Sequence, residues 1–107
     1  MKPKDMRETD AKYCRRRAER LRNRVEAIKG ELEVDDLKRR YYLALAEEQE
    51  LNARIHLANG PGLRDGDKTF GQLLEERAAI QGRCSALVLM LDELGISVKK
   101  LYGSLES

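Results

Sequence analysis

Lys12, Arg15, Arg16, Arg17, Arg20, Arg22 and Arg24 set seven cations within about four turns of a helix. Side chains of this type at this density make no bonds; they neutralise a polyanion, with charge enough for several phosphate contacts and a steep dependence on salt. Lys99 and Lys100 add a smaller basic pair toward the other end. Charge is polarised along the chain: residues 1–24 carry ten Lys or Arg against four Asp or Glu, residues 25–60 five against eight, and residues 61–107 six against seven, within a total of +2. Such a chain either binds nucleic acid, as double-stranded DNA, through its basic end, or docks that end on acidic helices of its own fold or of a partner. Exposed pairs of the second kind contribute about 0–1 kcal/mol each. Glu47, Glu48, Glu50, Glu75 and Glu76 are the carboxylates available to make them.

Other chemistries fail on residue type or spacing. The segment GLRDGDKT has the outline of a phosphate-binding loop, but Asp67 separates Gly66 from Lys68, no strand precedes it, and a carboxylate repels the phosphates such a loop cradles. Asp65 and Asp67 lack the alternating acids and closing Glu of a calcium loop, which leaves a polar turn. His56 is the one histidine, so neither a His-rich metal site nor a Ser–His or Cys–His pair is supported, and a helix surface is its expected place. Cys14 and Cys84 stand far apart on apolar helical faces, as small core residues of a reducing compartment. The expectation is no enzyme, no cofactor, no metal and no small-molecule substrate.

The elements that must position the cations are helices. With 37% of residues charged and only four Tyr, one Phe and no Trp, the composition is that of long solvated helices, and a sheet is not expected. A length of 107 residues suits one domain, or an elongated helical unit that completes its core by association. The N-terminal MKPKDMRETD has no apolar stretch of a signal peptide, and no run approaches the roughly 20 apolar residues of a membrane span, which points to a cytoplasmic protein without membrane contact.

Periodicity predicts three helices. Cys14, Ala18, Leu21, Val25, Ile28 and Leu32 alternate at spacings of four and three, a narrow stripe on a helix over 9–32. With the stripe at the seam, Arg15, Arg17, Arg22 and Arg24 flank it, so a parallel copy would oppose cations to cations. The stripe resumes out of phase as Val34, Leu37, Tyr41, Ala44, Leu51, Ile55 and Ala58 on a helix over 36–58, which implies a kink or short break near Glu33 to Asp36 with Asp35 as N-cap. Apolar residues spread around that helix, and Tyr41, Tyr42, Leu45, Leu51 and Ile55 are expected at a bundle centre or a subunit interface. NGPGLRDGDKT over 59–69 is a loop that reverses the chain. Thr69 and Gln72 then form a capping box for a helix over 70–94, whose seam is Phe70, Leu73, Ile80, Cys84, Leu87, Leu91 and Leu94. The expected fold is all-α: an antiparallel helical hairpin or three-helix coiled-coil-like bundle with a short C-terminal helix over 97–105, and oligomeric.

The C-terminal LDELGISVKKLYGSL carries two resemblances. Leu94, Gly95, Ile96 and Ser97 followed by Leu101, Tyr102 and Leu105 resemble the turn and second helix of a bacterial helix–turn–helix, although Val98, Lys99, Lys100 and Ser104 offer no Arg, Asn or Gln for base edges. A helix stop at Gly95 followed by a terminal turn accounts for the same residues. The layout from about Tyr41 to Leu105, with Glu93 to Ser97 and a basic Lys99 or Lys100, resembles a phage terminase small subunit, with Val98 in place of the proline of that pattern. The second resemblance implies a ring-forming, non-enzymatic adaptor that recognises viral DNA for packaging, with the basic N-terminal helix as the DNA contact. The alternative is a coiled-coil interaction module, a small regulator or inhibitor that binds another protein.

Overall fold

The computed structural model describes residues 4–30, 32–60 and 62–97, which form three helices and a two-strand turn. Helix α1 spans Lys4–Ala27, α2 spans Glu33–Leu57 and α3 spans Phe70–Glu93, with strands β1, Arg64–Asp65, and β2, Lys68–Thr69, between the last two. The fold is all-α. No helix among the described residues is long and apolar enough to cross a membrane.

Helix α1 begins earlier and ends earlier than its apolar stripe predicts. Thr9 is an interior residue whose hydroxyl donates to the Asp5 carbonyl at 2.8 Å, the local bond that competes with a capping role. The break comes after Ala27 and before Glu33 rather than at 33–36, and Leu32, expected on the seam, is 71% exposed. Gly30 allows the corner because a Cβ there would overlap the Asp35 carboxylate. Asp35 is not the N-cap of α2: Leu32 takes that position, and the Asp35 carboxylate accepts from the Leu32 N–H at 3.1 Å. Arg39 closes the corner by donating to the carbonyls of Ile28 and Gly30 while pairing with Asp36.

Helix α2 is the middle element, with α1 and α3 packed antiparallel on it. Ala18 and Leu21 of α1 meet Leu37, Tyr41, Tyr42 and Leu45 of α2 and Cys84, Leu87 and Leu91 of α3 in the main core. At the other end Leu51 and Ile55 pack on Leu73, while Ala11 and Cys14 pack on Ala53. Tyr41, Tyr42, Leu45, Leu51 and Ile55 are therefore buried inside the chain itself, at 4–8% exposure. Of the two places expected for them, this is the bundle centre: the pattern of α2 records two neighbours in its own bundle.

The 59–69 segment is more than a loop. Gly66, at φ +64, and Asp67 form a two-residue turn that pairs Arg64 with Thr69 and Asp65 with Lys68. Positive φ at the first turn residue alone is the II′ geometry that suits the twist of a hairpin. Arg54 of α2 holds Asp65 through its carboxylate and its carbonyl, and Thr69 with Gln72 makes the reciprocal capping box that starts α3.

Gly95 ends α3. Its N–H donates to the Asp92 carbonyl at 3.0 Å and the Ile96 N–H to the Leu91 carbonyl at 2.9 Å, with Gly95 at φ +78, a Schellman stop. Ile96 returns onto the main core, as that motif requires. Nothing lies near the Gly95 Cα, so an added methyl meets only the backbone penalty. Gly95→Ala should cost about 1–2 kcal/mol in urea unfolding; an unchanged midpoint would mean that the turn does not hold this conformation. The expected terminal helix over 97–105 lies almost wholly outside the described residues.

Candidate nucleic-acid interface

Between Lys4 and Ala27 the chain contains no Gly or Pro and is rich in Arg, Ala and Glu, good helix formers that make one continuous helix of the basic segment. Its inward line is Ala11, Cys14, Ala18 and Leu21, all buried. Opposite runs Thr9, Lys12, Arg16, Arg20 and Asn23, at spacings of three, four, four and three, and every one of them is exposed. Among the acids of α1, Asp5, exposed and one turn before Thr9, continues that line. Glu8, Glu19 and Glu26 fall on one flank, interleaved with Arg15 and Arg22. On the other flank the Arg17 guanidinium lies 5.8 Å over the Tyr13 ring and donates to the Tyr13 hydroxyl at 3.3 Å.

The cations thus divide by what they touch. Arg22 pairs with Glu50 of α2 at 3.0 Å, an exposed pair of the kind expected for docking on an acidic helix. Arg17 and Arg24 are half-buried and partnered. Among the described residues, Lys12, Arg15, Arg16 and Arg20 have no ion pair, while Glu47 pairs with Arg83 of α3 and Glu76 with Lys68. In that last pair Lys68, the lysine of the phosphate-loop outline, is bound to a carboxylate. Lys99 and Lys100 lie outside the described residues.

His56 is not simply on a helix surface; it sits in the seam between α2 and α1, with Nδ1 3.7 Å from an Asp10 oxygen. Burial pushes the Cys14 thiol up from its ordinary pKa, Asp10 adds to the rise and Arg17 opposes it. Cys84 is raised likewise by burial and then by Glu48, against Arg83. Burial and the raised pKa both disfavour the reactive thiolate at each position. Among the described residues no group of three or more His, Cys, Asp or Glu is placed to hold a metal ion.

No family model matches the chain, and no curated protein or solved structure matches it. The reading of the surface therefore rests on its own geometry. Thr9, Tyr13 and Asn23 are the members of this face that a count of cations misses. Their signal is positional: once the seam is fixed, spacings of three and four place them beside Lys12, Arg16 and Arg20.

Proposed function

We propose that the protein is a non-enzymatic nucleic-acid-binding adaptor whose outward α1 face takes the phosphate backbone of DNA. The observation that carries this is the exposed line Lys12, Arg16 and Arg20, without an ion-pair partner in the described chain, on the side of α1 turned away from the bundle. Phosphates would supply the missing anions and release their counterions. In the form implied by the C-terminal resemblance, the adaptor is a terminase small subunit that forms an oligomer, recognises viral DNA in the host cytoplasm and hands it to a packaging motor.

Titrating the full chain with duplex DNA at several salt concentrations, with its mass in solution recorded on the same samples, tests this reading. Phosphate contacts by two to four of Lys12, Arg15, Arg16 and Arg20 should give a slope of log affinity on log salt of about −2 to −4. Failure to bind at low salt removes the proposal. A second reading, a helical protein-interaction module, is favoured by the outer side of α3, where Leu89 is 66% and Met90 49% exposed beside the small Ala78, Gly82 and Ala86.

A further inference from the structure

The outward line of α1 differs from a generic cationic patch in two respects. It is straight, and its residue types change along it from Thr and Lys to Arg, Arg and Asn. A patch that only neutralises charge has no use for the order of its side chains. A helix lying in a groove does, because one line of side chains meets the floor while its flanks meet the walls. We propose that α1 is a recognition helix for the major groove of B-form DNA, with Arg16, Arg20 and Asn23 on base edges and Lys12 and Arg15 on phosphates. The proposal rests on the nucleic-acid reading above and adds sequence specificity and duplex form to it.

Three observations support the placement. Helix α1 is covered on its inner side by α2, and the whole line from Thr9 to Asn23 is exposed. A bare helix of about 10–12 Å diameter matches a major groove about 12 Å wide, while the deep, narrow groove of A-form RNA excludes it. The residue types are also those that read bases in pairs of bonds: the guanidinium fork fits guanine O6 and N7, and the Asn amide fits adenine N6 and N7. Among the described residues, neither Arg16 nor Arg20 makes an ion pair that would hold its fork to the protein surface. Glu8, Glu19 and Glu26 lie off the line, on the flank that Arg15 shares.

Spacing converts into a base pattern. Arg16 and Arg20 are one helical turn apart, about 6 Å along the axis, or about two base pairs. Asn23 follows at about 4.5 Å, one to two base pairs further. The preferred duplex should carry two G·C pairs about two base pairs apart, followed by an A·T pair.

The test uses the full chain and a pool of duplexes with a randomised centre, from which bound molecules are selected and sequenced. Affinity is then measured for the selected duplex, a scrambled duplex of equal length, the selected sequence as a single strand, and the same sequence as duplex RNA. The selected duplex should bind about tenfold or more tightly than each of the others. Arg16→Lys and Arg20→Lys keep the charge and lose the fork, so each should collapse the ratio of selected to scrambled affinity. Arg15→Ala should weaken both duplexes alike, and unchanged helical circular dichroism would establish that each variant is folded. Retained binding with no consensus, equal binding of the single strand, or a ratio unmoved by both Arg→Lys changes overturns the groove proposal and leaves phosphate binding standing. Absence of binding to every nucleic acid overturns both.

Discussion

Leu91→Ala should lower the unfolding free energy by about 3–5 kcal/mol, and the melting temperature by about 15 °C. Leu91 is 0% exposed and lies in the core where Leu21 of α1, Tyr41 of α2 and Leu87 of α3 meet. Truncation there removes apolar contacts inside the main core, and the surrounding backbone is helical and collapses little into the gap. The loss is a large fraction of the roughly 5–15 kcal/mol that stabilises a domain of this size. Leu89 provides the comparison within the same turn. At 66% exposure its change to Ala should shift stability by less than about 0.5 kcal/mol. Urea unfolding of the two variants, followed by circular dichroism, reads the difference directly. Equal losses would mean that α3 is rotated from the orientation described.

Arg16→Glu with Arg20→Glu should weaken binding to duplex DNA by about a hundredfold or more at low salt, with helical content unchanged. Two phosphate-facing or base-facing cations become repulsive anions, and Glu is as good a helix former as Arg on an exposed surface. Net charge falls by four, so a general electrostatic effect needs its own control. Arg40→Glu with Arg83→Glu makes the same change of charge on α2 and α3, away from the α1 face. A fluorescence anisotropy titration should show the second pair binding within about tenfold of the parent. Equal loss in the two pairs would assign binding to net charge and remove α1 as the interface.

The inward stripe of each helix is legible in the sequence because burial depends on spacing alone. Ala18, Leu21, Tyr41, Cys84, Leu87 and Leu91 all lie where periodicity puts them. The ends of α1 are not legible by the same means. Thr9 has the chemistry of a cap, yet nothing local shows that its hydroxyl will turn back to Asp5 instead. At the other end Gly30 marks the corner, but its requirement comes from Asp35 and Arg39, partners that only the folded corner brings together. The hairpin at Arg64–Thr69 is signalled by Gly66–Asp67, a pair that suits a II′ turn, while the surrounding polar residues conceal strands only two residues long. As for the candidate interface, counting cations finds the segment but does not separate Arg22, which faces Glu50, from Arg16 and Arg20, which face solvent. That separation needs the direction of the inward seam, which Ala11 extends beyond the part legible as apolar.

The two halves of α1 are held unequally. From Ala18 onward the helix is anchored by Leu21, with Val25 and Ile28 packed against the main core, whereas its first half rests on Ala11 and Cys14 against Ala53. Small side chains bury little area, so the first turns should open at a smaller free-energy cost than the rest of the bundle. A ligand lying from Thr9 to Asn23 spans both halves and needs the first one closed. The measured affinity is then the intrinsic affinity multiplied by the closed fraction, and a change at Ala11 or Ala53 tunes binding without touching the ligand.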